Sequence, residues 1–243
     1  MSLPTFQRAF YDLIANPAFC IEAKNNPLLL SEKYDLTAKE LTRLNSIIWQ
    51  KGMSTNCTLY RVNRVTPIYT LMPYTCKLLG DEILPILNEY WLDHARTKLQ
   101  YKDEVTLFCN FLRYKLECGM LNIQYLDDIL NFEATVNEIR YQQPAVIETS
   151  NGPGIQYKLH PQARVISFKY DPGCLIKELL SKEPGRMSKG IPVGEYFLLL
   201  RLRDEEMEMS LITNELASIL SNVEQFTVIP DHFIAEGYVI QLK

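Results

Sequence analysis

Histidine is scarce in this 243-residue chain, and the three present, His94, His160 and His232, lie far apart in sequence. That spacing gathers no metal ligands. The 10 glycines form no G-x-G-x-x-G or other phosphate-cradling loop, and neither G-x-S-x-G nor H-E-x-x-H occurs. These absences argue against a self-sufficient enzyme and for no cofactor or metal in this chain. The six cysteines (Cys20, Cys57, Cys76, Cys109, Cys118, Cys174) contain no C-x-x-C pair, which argues against structural zinc. Reduced structural thiols are the expectation. No apolar run reaches the ~20 residues that cross a bilayer. The start, Met1-Ser2-Leu3-Pro4-Thr5, lacks a basic segment followed by an apolar core. No membrane association and a cytoplasmic location are therefore expected.

What is present is ordinary globular material: 47% hydrophobic and 22% charged residues with a net charge of −4 exclude disorder and fibrous repeats. Up to about residue 142 the apolar spacing is helical. Thr37 and Glu40 read as a capping box with Leu36 stapled onto Leu41, followed by Leu44 and Ile48, with Gly52 past the helix end. Cys57 to Leu79 reads as a helix that Pro67 and Pro73 kink or divide. Further helices open at Asp81 and Asp103, and a last one covers Ile123 to Ile139. Turn formers then dominate residues 143–163, which read as a linker.

Beyond the linker the period changes. Strands are expected at Val165–Tyr170, Tyr196–Arg203, Phe226–Ile229 and Tyr238–Leu242. Asp171-Pro172 opens one helix and Leu211–Leu220 forms another, with Asp204–Glu208 as an acidic turn and Lys182–Pro192 as a loop. The expected architecture is α+β. An all-helical domain (residues 1–142) and a linker (143–163) precede a small, winged-helix-like α+β domain (164–243).

The most unusual segment is Leu59-Tyr60-Arg61-Val62-Asn63-Arg64, with two arginines about a helical turn apart. Guanidinium forks suit anions, so both arginines are candidate ligand binders. The reading favoured here is an internal ion pair from Arg61 to Glu133, because Glu133 falls on an otherwise apolar helix where a lone carboxylate is costly. Arg64 remains a candidate for binding a peptide or partner. A DNA-binding regulator is the alternative function, but neither half is basic: residues 1–150 carry 15 basic and 17 acidic residues, and 151–243 carry 10 and 12. DNA is thus not the expected partner. The run Tyr196–Leu200 is apolar on both faces, as in a central strand, although an edge position would let it pair with an extended peptide. Tyr238 to Leu242, including Ile240, is the better edge candidate.

Leu59–Arg64, then Tyr69–Pro73 and Lys77-Leu78-Leu79-Gly80-Asp81-Glu82, resemble a bacterial "DNA-binding domain" family. Tyr125–Glu133 resembles its later helix, and His160–Val165 with Tyr170-Asp171 resembles the entry to its C-terminal domain. The resemblance touches most of residues 55–203. It implies a non-catalytic partner of a multinuclear non-haem iron oxidative enzyme, the group that includes the methanobactin-forming oxygenase. Such a partner presents a ribosomally made precursor peptide for modification. The iron then belongs to the enzyme, and the peptide is held by strand addition or in a groove.

Overall fold

The computed structural model describes residues 3–94, 101–141, 156–181, 190–225 and 229–242. Helices come first: α1 (Leu3–Ala15), α2 (Pro17–Asn25), α3 (Leu29–Lys33), α4 (Ala38–Ile48), α5 (Lys51–Leu71), α6 (Pro73–Leu79), α7 (Ile83–Asp93), α8 (Tyr101–Glu117) and α9 (Leu126–Tyr141). There follow β1 (Gln156–Leu159), β2 (Ala163–Tyr170), α10 (Pro172–Ser181), β3 (Val193–Arg203), β4 (Glu206–Ile212), α11 (Asn214–Ser221), α12 (Asp231–Ala235) and β5 (Val239–Leu242). The fold is mixed α+β, helical first and with its strands near the C-terminus. No helix among the described residues is long and apolar enough to cross a membrane.

The chain forms two compact units that do not divide at the expected linker: residues 1–70 with 82–108, and 71–81 with 109–243. The expected linker is also corrected in part. Residues 156–159 within it form β1, while 142–155 lie outside the described residues.

In the first unit, α1, α2, α3 and α4 close over Leu13, Phe19, Leu30, Leu44 and Ile48, all buried. The Thr37–Glu40 capping box forms in both directions, so the helix start read from local sequence holds. Leu36 and Leu41 pack against this same core, as a staple requires. Gly52 does not follow a helix end; it lies in the first turn of α5. Pro67 sits inside α5 without ending it, and Pro73 instead starts α6 at the position where its missing N–H costs nothing.

In the second unit, β2, β3 and β4 form an antiparallel sheet with β3 in the middle, and β1 pairs with β5 as a separate antiparallel ribbon. Register puts Ile166, Phe168, Leu198, Leu200, Met209 and Leu211 on one face. Helix α9 covers the β2–β3 part of that face, with the Phe132 and Phe168 rings 6.3 Å apart. This packing is why α9 belongs with the sheet. Val165 and Leu199 occupy the other face with Ile212, against a core of Leu220, Val223, Phe233 and Val239. The expected helix Leu211–Leu220 is corrected. Leu211 and Ile212 finish β4, and the helix starts only after Thr213, whose hydroxyl caps it by accepting the Leu216 amide. The expected strand at Phe226 falls on residues 226–228, outside the described residues, as does most of the expected loop, 182–189.

Candidate functional site

On α5 a three-residue step turns Arg61 and Arg64 onto neighbouring faces, and only Arg64 goes inside. Arg64 is 1% exposed, and its Nε donates to Glu104 Oε1 at 2.9 Å. Nη2 lies 2.9 Å from the same oxygen as an ion-pair contact, and neither Nη1 nor Nη2 makes a hydrogen bond among the described residues. The rings of Tyr60, Tyr90 and Trp91 surround the guanidinium at 5.9, 5.3 and 5.6 Å. Those π faces offset part of the missing hydrogen bonding. Arg64 is therefore corrected from a binding candidate to a structural cation of the first unit.

The expected tie between Arg61 and Glu133 is corrected as well. Arg61 is exposed, and its Nη2 points to Asn88 Oδ1 at 3.4 Å. Glu133 is buried, and its two oxygens accept the backbone N–H groups of Tyr74 and Thr75 at 2.7 and 2.8 Å. These are orphan amides of the first turn of α6, which has Met72 at its cap position and no capping side chain of its own. Glu133 caps that helix from α9, and Asn137 one turn on donates to Leu71 O at 2.8 Å. The pair stitches the break at Met72-Pro73. Burial pushes the Glu133 carboxyl up to about 7, although the hydrogen bonds at Thr75 and Tyr74 pull it down. Asp128, also on α9, accepts the Lys169 and Tyr170 amides at the end of β2, with its pKa raised by burial.

Arg61 lines a pocket of about 270 Å³ in the first unit. Ala15, Pro17 and Ala18 form one wall where α1 passes into α2, and α7 contributes Asn88, Trp91 and Leu92. Asn16 fixes the corner by accepting the Phe19 amide at 3.0 Å. The Arg61 guanidinium carbon stands 5.7 Å from the centre of the Trp91 ring.

The sheet residues expected to bind peptide fare differently from one another. Tyr196 lies on β3, opposite Phe168, and β3 is flanked on both sides. Tyr196 itself pairs with β2 alone, because the β3–β4 pairing begins one residue on, at Phe197. Tyr238 immediately precedes β5; its carbonyl accepts the His160 amide at 2.8 Å, and the Arg201 guanidinium lies 5.6 Å from its ring centre. Ile240 sits in β5 opposite Lys158, in a ribbon whose strands each pair on one side among the described residues. The edge missed from sequence is β4. Its outer side meets no further strand among the described residues. Met209 and Leu211 stand 51% and 61% exposed, next to Leu198 and Leu200, which are buried. The strict alternation Glu206-Met207-Glu208-Met209 was the available signal.

The histidines have separate surroundings. His94 stacks on Tyr90, His160 Nδ1 accepts the Gln162 amide, and His232 lies against Phe233. Burial lowers the pKa of His160. Cys20, Cys57, Cys76 and Cys109 are buried thiols in no disulfide, and burial raises Cys76 and Cys109 to about 12. No group of three His, Cys, Asp or Glu side chains stands ready to hold a metal among the described residues. Comparison with known protein families finds no match, and comparison with curated proteins finds none either.

Proposed function

We propose that this chain is a non-catalytic partner subunit that captures an extended precursor peptide along β4 and presents it to a multinuclear non-haem iron oxidative enzyme in the cytoplasm. The observation that carries the reading is the outer edge of β4. It offers a row of backbone N–H and C=O groups on a sheet that α9 covers over β2 and β3 on one face and the Leu199–Phe233 core covers on the other. A strand added there completes hydrogen bonds the sheet leaves open and sets alternate side chains against Met209 and Leu211. The preferred peptide therefore carries apolar residues two apart.

A second surface supports partnership with a protein. Leu59, Val62 and Tyr69 project from α5 at helical spacing, 54%, 48% and 47% exposed. In this reading they dock the enzyme. The motif resemblance around Leu59–Arg64 supplies the class of that enzyme, and the iron and its chemistry are the enzyme's. The β3–β4 hairpin takes the part of the wing in a winged-helix-like module.

Co-expression with a multinuclear iron enzyme encoded beside this chain, and with that enzyme's precursor peptide, tests the proposal. The expected result is a complex of all three and a peptide modified only when this chain is present. An enzyme that modifies its peptide equally well alone overturns it.

A further inference from the structure

We infer that the pocket around Arg61 binds a small apolar carboxylate, a role independent of peptide capture at β4. Three elements converge there: α5 brings Arg61, α7 brings Asn88, Trp91 and Leu92, and the α1–α2 corner brings Ala15, Pro17 and Ala18. Arg61 is the charged residue of this lining, and no carboxylate is among the lining residues. Among the described residues its hydrogen-bond acceptor is the Asn88 amide oxygen, at 3.4 Å, which is neutral and too distant to hold it firmly. The buried cation beside it is already matched, since Arg64 is paired with Glu104. One positive charge is thus left over in a recess with mostly apolar walls.

Charge and geometry select the ligand. A single guanidinium fork presents two parallel N–H groups, which match the two oxygens of a carboxylate and its one negative charge. A phosphate dianion needs a second cation, which this lining lacks. The Trp91 ring lies beside the guanidinium, at 5.7 Å, and offers an apolar face to the body of the ligand. The volume of about 270 Å³ admits a ligand the size of a single aromatic acid. The chemistry is an apolar or aromatic group bearing a free carboxylate. It comes either from a small molecule or from the C-terminus of a peptide that ends in an aromatic residue.

Titration of the full chain by calorimetry tests this, with phenylacetate, phenylacetamide, inorganic phosphate, and a short peptide ending in phenylalanine as the free acid or the C-terminal amide. Saturable binding of phenylacetate or of the free-acid peptide is expected, and the tighter of the two identifies the source. The two amides and phosphate should bind at least tenfold more weakly. Arg61→Gln, a change at an exposed position that leaves the fold intact, should weaken carboxylate binding at least tenfold, whereas Arg61→Lys should restore part of it. Equal binding of acid and amide, an unchanged Arg61→Gln variant, or no heat with either carboxylate at millimolar concentration overturns the inference.

Discussion

Replacing Glu133 by alanine removes the acceptors of two amides at the start of α6. A buried amide left without its acceptor costs about 1–3 kcal/mol, so losing both acceptors costs about 2–6 kcal/mol. Opposing this is the burial of the carboxyl, which raises its pKa from 4.5 to about 7, equivalent to about 3 kcal/mol. Because the native value is the higher one, the unfolded chain gives up the proton first. The stability Glu133 contributes by holding its proton is complete below pH 4.5 and is lost as pH rises to about 7. Alanine has no proton to hold. The stability difference between wild type and Glu133→Ala is therefore largest near pH 5 and shrinks by about 2–3 kcal/mol by pH 8. Urea denaturation of both proteins at the two pH values reads this directly. Glu133→Gln keeps one acceptor oxygen, turns an NH₂ toward the second amide, and should follow the alanine variant in its pH dependence. A difference that grows with pH, or no loss at either pH, refutes the capping account.

The remaining predictions concern the buried pair and the two surfaces. Arg64→Met alone removes the cation matched to the buried Glu104 carboxylate and should cost about 3–5 kcal/mol. Adding Glu104→Gln should recover much of that loss, as a double-mutant denaturation cycle reads; additive losses contradict the pairing. Met209→Glu with Leu211→Glu, both at exposed positions, should leave the melting temperature nearly unchanged and abolish peptide capture in a pull-down. Val62→Glu on α5 should release the enzyme while peptide capture persists, so the two surfaces separate in one co-purification experiment.

Local chemistry made some of the structure legible. The Thr37–Glu40 box lies within one helical turn, where sequence spacing is spatial spacing. Strands β2 and β3 carry apolar residues in runs too short for helices. What escaped depended on distant partners. Arg61 and Arg64 are equivalent by local pattern, and the choice of which one is buried is made by Glu104, 40 residues away on α8. Glu133 was correctly read as a carboxylate needing a partner, yet its partners are backbone amides, which every sequence position carries. The hint was Met72 before Pro73, a helix start with no capping oxygen. Strand β4 was hidden because Leu211, Leu216, Ile219 and Leu220 mimic a helical stripe across the strand's end. The two-residue alternation before it marks the true element.

Amide hydrogen exchange of the chain with and without an enzyme's precursor peptide tests capture at β4 most directly. Slowed exchange at alternate amides of Glu206–Ile212, the pattern of one newly paired strand side, is the result expected. Peptide binding that protects β5 or the α5 face while β4 exchanges as before would contradict it.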